Sequence, residues 1–353
     1  MQKKIIRLFL FISMLTSLST CGHMDATNTQ TNTQTNTQNG NRINPVWPLP
    51  PATPKIKFEQ AFSTPAELGI GRSIWQWLGD VVFGEDDIHM LRPMAVVTVG
   101  EHLIYVADPG VQGVHRFNTR DQSYHLIQGA DKLPLPSPVA LAVDKSGNVF
   151  VSDSSLVQLL VIRKDSDFAV PVKLNIALQQ PTGLAIEKNT GDIYLLDTAQ
   201  HQLLVLTAAG KLKKRIGQRG IKPGEFNFPT HLQLSNNRLL ITDAMNFRIQ
   251  IFNLQGKYLS EFGKAGQSSG YLSRPKGVAM DKRGHIYIVD GLLNNIQLFN
   301  MQGQLLMAMG DQGQQIGQFW LPTGIYINEQ QKIYVADSHN RRVQVFRYMG
   351  DAL

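Results

Sequence analysis

Histidines are the residues of this 353-residue chain whose type could support metal chemistry. A catalytic zinc ion needs about three protein ligands, usually histidine or carboxylate, brought together at one place. Among nine histidines, only His231, in PTHLQL, follows the proline that opens the recurring inner strand, and the equivalent residues in the neighbouring copies are Gly183, Gly277 and Gly324. The sequence therefore predicts no metal site, no cofactor and no catalytic residue, and leaves His231 as a lone candidate.

Six aspartates each close an apolar run at a repeated position. They are Asp108, Asp153, Asp197, Asp243, Asp290 and Asp337, in runs such as YVAD, LITD and YIVD. Equivalent carboxylates beside turns are typical of hydrogen bonds from side chain to backbone, whereas a catalytic site would break the symmetry. We therefore interpret all six as structural, together with Asn246, Asn294 and Asn340.

The elements around these aspartates predict the fold. The aspartates recur roughly every 45 residues, which is the spacing of propeller blades. Before each one a proline opens another apolar strand, and a third strand follows; the prolines are Pro93, Pro138, Pro181, Pro229, Pro275 and Pro322. Short runs rich in Val, Ile, Tyr and Phe between turn clusters indicate strands. The prediction is an all-β protein, a six-bladed β-propeller of four-stranded blades.

The sixth blade lacks one strand, because few residues follow Phe346. The segment from Lys55 to Phe62, KIKFEQAF, has the composition of a strand. We expect it to supply the missing outer strand, so that the two ends of the domain, residues 55–349, close the ring and leave no open sheet edge.

The three C-terminal copies resemble NHL repeats. Each has a Gly-x-x-x-Gly approach, an aromatic residue or leucine, a proline, a strand ending in Asp, and then Asn before a strand such as RIQIF. The approaches are Gly220 and Gly224 with Phe226, Gly266 and Gly270 with Leu272, and Gly313 and Gly317 with Phe319. The resemblance implies a propeller but no single function, because propellers host binding modules and enzymes alike.

The resemblance extends to a group of peptide-amidating lyases, in which histidines follow the inner-strand proline in more than one blade. In this chain only His231 occupies that position. A metal-dependent lyase or lactonase acting at the propeller channel is therefore the alternative function, with His231 as the candidate channel residue.

The N-terminus has the pattern of a secretory signal over residues 1–20. Lys3, Lys4 and Arg7 precede an apolar stretch from Leu8 to Leu18, which is too short to span a bilayer. The sequence LSTC, ending at Cys21, resembles a bacterial lipobox, although threonine before the cysteine departs from the usual Gly, Ala or Ser. We predict lipidation of Cys21, and an ordinary cleaved signal is the alternative.

Residues 21–54 form the predicted tether. Gly22 rather than Asp follows the cysteine, which by resemblance to enterobacterial sorting favours the outer membrane of a Gram-negative bacterium. TNTQ occurs three times from Thr27 to Gln38, with no apolar residue to bury, so this part is expected to be a spacer. A proline-rich run from Pro45 to Pro54 leads into the propeller.

One face of the propeller is expected to carry the binding site. The loops before the inner-strand prolines and the loops after the aspartates share this face, which also receives the insertion from Ser63 to Arg92. The insertion is predicted to be a short helical segment before the first full blade, with a capping box at Thr64 to Glu67 and a second helix from Ile74 to Gly84.

Aromatic and basic residues on this face are the candidates for partner binding. They are Trp75, Trp77, Arg248, Lys276 and Arg341. Tryptophan concentrates binding energy at interfaces, but Trp75 also fits an apolar stripe that packs against the propeller rim, and both interpretations stay open.

The net charge of the chain limits the classes of partner that it is expected to bind. The chain carries a net charge of +7, of which three positive charges belong to the signal. Export argues against nucleic acid, and no stripe of stacked aromatic and basic residues supports it. We predict an exported lipoprotein that binds or scaffolds an envelope protein, held at the membrane by its lipid anchor. A receptor for an anionic glycan is a further alternative, and a small-molecule ligand is possible.

Overall fold

A computed structural model describes residues 45–53, 55–71 and 89–350. Its strands form six blades around a channel. The inner strands of blades 1 to 6 are β3 (Ala95–Val99), β7 (Pro138–Val143), β11 (Pro181–Ile186), β15 (Pro229–Ser235), β19 (Pro275–Met280) and β23 (Ile325–Ile327). The second strands, which end at the aspartates, are β4 (Leu103–Asp108), β8 (Val149–Asp153), β12 (Ile193–Asp197), β16 (Arg238–Asp243), β20 (Ile286–Asp290) and β24 (Lys332–Asp337).

Two further strands complete each blade. The third strands are β5 (Gly113–Asn118), β9 (Gln158–Ile162), β13 (Gln202–Leu206), β17 (Arg248–Asn253), β21 (Asn295–Phe299) and β25 (Arg342–Tyr348). The outer strands are β6 (Ser123–Gly129), β10 (Phe168–Pro171), β14 (Leu212–Ile216), β18 (Tyr258–Phe262), β22 (Leu305–Met309) and, for blade 6, β2 (Ile56–Phe62). The prediction of four-stranded blades is confirmed.

Strand β2 closes the ring as expected. It pairs antiparallel with β25, from Ile56 opposite Tyr348 to Phe62 opposite Val343. A short strand β1 (Val46–Trp47) pairs with β2 and covers the outer edge of this blade. Blades 1 and 2 are joined through their outer strands, because β6 and β10 pair in parallel.

The core consists of six apolar layers, one between each pair of neighbouring blades. In β20, Ile286 and Ile288 face blade 4 while Tyr287 and Val289 face blade 6. Successive side chains of a strand point to opposite faces, and both faces of each blade are covered. For this reason the strands are continuous apolar runs instead of alternating ones.

Helical structure among the described residues is limited to single 3₁₀ turns. These are Ala66–Leu68, Ala130–Lys132, Thr198–Gln200 and Ala244–Asn246. In the first, Glu67 accepts hydrogen bonds from the backbone N–H groups of Ser63 (2.6 Å) and Thr64 (3.0 Å), which is half of the predicted capping box. The predicted second helix, with Trp75 and Trp77, lies outside the described residues. No helix in the described ranges is long and apolar enough to cross a bilayer.

Candidate functional site

Strand direction divides the loops between two faces. Inner strands begin, and second strands end, on what we call the proline face, which carries the loops before the inner-strand prolines and the turns after the six aspartates. The hairpin turns that join first to second and third to fourth strands lie on the opposite side, which we call the turn face.

The six aspartates hold the loops of the proline face. All of their side chains are fully buried. Asp290 accepts hydrogen bonds from the N–H groups of Ser273 (2.7 Å) and Arg274 (3.0 Å) in the preceding loop, and from Leu292 (3.1 Å) and Leu293 (3.0 Å) in the turn that follows. One carboxylate thus ties two loops together, which confirms the structural interpretation of these residues.

Arg248 takes part in the same kind of hydrogen bonding, in a group of contacts that we call the Arg248 clasp. The expectation that it faces a partner is wrong. Its side chain is 6% exposed and donates to Asp243 (2.8 Å) and Glu261 (2.9 Å). It also donates to the carbonyl groups of Ile221, Lys222 and Glu225. Every side of the guanidinium is therefore engaged within the protein. Arg342 is the equivalent residue in blade 6, where it donates to Asp337 at 2.8 Å.

Asn294 occupies a different repeat position from the one expected, and it shares that position with Arg341. The residue four places after each aspartate has positive φ in every blade: Gln112, Val157, His201, Phe247, Asn294 and Arg341. Asn246 and Asn340 lie one place earlier and donate to Asp243 and Asp337, each at 2.8 Å, so Asn294 is not their equivalent. The Arg341 side chain is exposed on the proline face and stays a candidate for partner binding.

His231 and Lys276 lie together at the proline end of the channel. His231 Nδ1 is 3.1 Å from Thr230 Oγ1. By exposed area the imidazole is half-buried, but the channel walls enclose it. This burial and, second, the charge of Lys276 lower the pKa of His231 to about 3, so the ring is neutral at pH 7. Burial and the neighbouring Arg274 also lower the pKa of Lys276.

Within the described ranges, no three side chains of His, Cys, Asp or Glu are grouped to hold a metal ion. A Cβ atom on Gly277 would lie 2.7 Å from the backbone of Thr323 and Ile325 in the next inner strand. Glycine at this position therefore lets neighbouring inner strands approach closely, and the three blades without it carry Ala95, Ala140 and His231.

The proline face exposes large apolar side chains. They are Leu91, Leu133, Leu156, Val157, Ile221, Phe228, Met245, Tyr271, Leu292, Ile316 and Trp320. Other exposed large apolar residues in the described ranges lie on outer strands or in the proline-rich segment, and none lies in the hairpin turns of the turn face. We call Phe228, Met245, Leu292 and Trp320, from blades 4 to 6, the apolar patch.

Trp320 is the residue that the sequence interpretation missed. It is 38% exposed, and its ring contacts His339 with centroids 5.4 Å apart. Its backbone N–H donates to the Asp337 carboxylate at 2.8 Å. The N–H groups of Asn227 and Ser273 make the same bond in blades 4 and 5. A signal was present, because Trp320 directly follows the buried Phe319, where the other two copies have small polar residues.

Parts of the chain match known families and proteins. A family described as a 6-bladed beta-propeller matches residues 182–263, and the NHL repeat matches residues 319–346. "Protein brain tumor" of Drosophila melanogaster is 26% identical over 113 residues, which cover 31% of this chain and 10% of that protein. Peptidyl-glycine alpha-amidating monooxygenase of Mus musculus is 28% identical over 148 residues, which cover 37% of this chain and 15% of that protein. The chain thus matches a small part of these longer relatives.

Solved structures resemble the chain over most of its length. An auxiliary nutrient binding protein from Bacteroides thetaiotaomicron has a TM-score of 0.59 at 12% identity, covering 74% of this chain and 71% of that chain. A virginiamycin B lyase from Staphylococcus aureus has a TM-score of 0.53 at 16% identity, covering 73% and 96%. At such low identity these similarities show the fold alone.

Proposed function

Since this chain is a six-bladed β-propeller with NHL-type repeats, we propose that it is a binding module that presents its proline face to a protein of a bacterial cell envelope. The proposal includes export and a lipid anchor on Cys21, with the outer membrane as its site. The fold and its neighbours among binding proteins support a binding function in general, and the partner and location are proposals.

The apolar patch is the observation that carries this proposal. Large apolar side chains exposed together on one face mark interaction sites, and the four residues of the patch belong to three consecutive blades of the proline face. The backbone that presents them is fixed by fully buried aspartates and by the Arg248 clasp. A rigid surface of this kind loses little conformational entropy on binding.

Charge on the same face indicates the chemistry of the partner. Arg92, Arg219, Arg274 and Arg341 are exposed there. Guanidinium groups on the same face as exposed apolar side chains complement a partner surface that combines apolar side chains and carboxylates. We therefore propose an acidic protein surface or segment as the partner.

The described N-terminal segment, which begins at Pro45, starts on the side of the proline face. Strand β1 runs antiparallel to β2, which runs toward that face, and the N–H of Phe58 donates to the carbonyl of Pro45 at 2.9 Å. A spacer of some twenty residues between Cys21 and this point reaches roughly 25 Å on average. Under the lipid-anchor proposal, the proline face is held near the membrane surface.

Photocrosslinking tests which face binds. A photoreactive residue would be placed at Leu292 or Met245 on the proline face, and at Ala208 on the turn face as the matched control, in the full chain within its own envelope. We expect one recurrent protein adduct from the two proline-face positions and none from Ala208. Equal crosslinking from both faces, or adducts only from Ala208, would contradict the proposal.

The anchor is tested separately. In cells given labelled fatty acid, the full chain is expected to incorporate label and to fractionate with the outer membrane, and Cys21→Ser is expected to lose both properties. Label in the Cys21→Ser variant, or a wild-type chain without label, would remove the lipid anchor from the proposal and leave the binding module in place.

Two alternative functions can each be tested by a specific experiment. A metal-dependent lyase or lactonase would show a stoichiometric bound metal and turnover of small esters or hydroxyglycine amides that is lost in His231→Asn. An anionic glycan receptor would show binding of acidic polysaccharide that weakens with salt, because exposed cations would supply the attraction.

A further inference from the structure

Three of the turns at the mouth of the channel on the turn face have the same composition. An acidic residue is followed by lysine in Asp144–Lys145, Glu187–Lys188 and Asp281–Lys282. The acidic side chain accepts hydrogen bonds from backbone N–H groups of its own turn in each case. The carboxylates are thus used within the turns, and the three exposed lysines line the channel mouth.

An ion pair crosses this mouth. Lys188 in blade 3 lies 2.7 Å from Glu329 in blade 6, and these blades stand opposite each other in a ring of six. Lys282 Nζ donates to the backbone carbonyl of Glu329 at 2.9 Å. Glu329 therefore contacts two ammonium groups, that of Lys188 through its carboxylate and that of Lys282 through its backbone carbonyl. The side chains of the pair are 56% and 74% exposed, and exposed pairs of this kind contribute at most about 1 kcal/mol, so the crossing is easily opened.

Beneath the ion pair, the channel forms a cup of about 650 Å³. This volume is within the range of small-molecule sites. Its walls combine the free polar edges of the inner strands with partly exposed apolar side chains, among them Val139, Val143, Leu234 and Ile325. His231 also lines it, with a neutral ring whose Nδ1 is near Thr230.

We propose that this cup binds a small apolar carboxylate that enters from the turn face. Its apolar body would occupy the cup, and its carboxylate would replace Glu329 as the partner of Lys188, with Lys282 alongside. Apolar side chains in the wall favour burial of the ligand body, and charge-assisted hydrogen bonds at the rim favour an anionic end. The site is separate from the apolar patch, so neither proposal depends on the other.

Titration of the full chain with 2-naphthoate, followed by its fluorescence, tests this site, and 2-naphthamide is the neutral probe of matched shape. We expect naphthoate to bind more tightly than the amide. Lys188→Met is expected to weaken naphthoate binding by about tenfold through loss of a charge-assisted hydrogen bond. Glu329→Gln is expected to strengthen it, because the competing carboxylate is removed.

Control variants separate this site from general charge effects and from the proposed function. Lys213→Met breaks an exposed pair with Asp192 on the turn face, away from the channel mouth, and is expected to leave the affinity unchanged, as is Trp320→Ala. Equal affinity for acid and amide, or a Glu329→Gln variant that binds no better, would overturn the proposal. Tighter binding of 2-naphthyl phosphate than of naphthoate would show that the ligand class is wrong.

Discussion

The two faces of this propeller are made by the same strands but use their polar groups differently. On the turn face, carboxylates such as Asp281 close their own turns, and lysines form exposed pairs such as Lys188–Glu329. On the proline face, buried carboxylates bind the backbone of two loops at once, and large apolar side chains are exposed beside arginines. Because polar groups satisfy the backbone from within, the proline face can present apolar side chains on a fixed scaffold.

The largest difference between the faces is expected in stability. Arg248→Met removes a buried guanidinium that pairs with Asp243 and leaves that carboxylate buried without its charge partner. We expect a loss of about 3–5 kcal/mol in the free energy of unfolding, measured by urea denaturation. Lys213→Met on the turn face, whose pair is half-exposed, is expected to cost less than about 1 kcal/mol. Similar losses in the two variants would break the comparison.

The next largest loss in the free energy of unfolding is expected where the inner strands pack closely. Gly277→Ala places a Cβ atom against the backbone of Thr323 and Ile325, so neighbouring strands must separate. The expected cost in unfolding free energy is about 1–3 kcal/mol. Gly71→Ala, where no atom of the described residues lies within 4 Å of the added carbon, is the control and is expected to change little. A neutral Gly277→Ala variant would show that this contact does not limit packing.

His231, in the channel between the faces, is expected to make stability depend on pH. Its folded pKa of about 3 is below the unfolded value of about 6.5, so the unfolded chain takes up the proton first and stability falls as pH drops from about 6.5 toward 3. Between pH 7 and pH 5, wild type should lose about 2 kcal/mol more than His231→Gln. Identical losses in urea denaturation at both pH values would exclude this role.

The smallest stability effect is expected at the channel mouth. Lys188→Met breaks the exposed pair with Glu329 and is expected to change the free energy of unfolding by less than about 1 kcal/mol. This change should also decrease with added salt, because the pair lies in solvent. A loss comparable to that of Arg248→Met would show that the crossing supports the ring.

The sequence was sufficient for the fold because the repeat is strong. The spacing of prolines and aspartates predicted the blades, and the strand composition of residues 55–62 predicted the closing strand. The roles of Arg248 and Arg342 could not be inferred in the same way. An arginine five residues after an aspartate reaches its carboxylate only if the intervening turn has the positive φ seen at Phe247 and Arg341. The residue types in the turn do not predict that conformation.

Surface residues were less predictable, because exposure depends on what covers each position. The sequence predicts Trp75 and Trp77 as partner-binding candidates because they are aromatic residues in an insertion. Both lie outside the described residues. Trp320 is adjacent in sequence to a buried aromatic residue, so it resembled part of the core. The lysines of the channel mouth were not recognised either, since only the ring of blades brings Lys188 to Glu329.

Affinity capture from the native envelope after mild crosslinking is the most direct test of the central claim. The comparison is between full-length wild type, a Phe228→Ala, Trp320→Ala double variant on the proline face, and a Lys145→Met, Lys188→Met double variant on the turn face. Unfolding midpoints are measured first, and capture is compared at a temperature where all three are folded, because Phe228 and Trp320 each bury more than half of their surface. We predict one recurrent acidic protein with wild type and the turn-face variant, and its loss with the proline-face variant. Retention of that protein by the proline-face variant, with loss in the turn-face variant, would contradict the account.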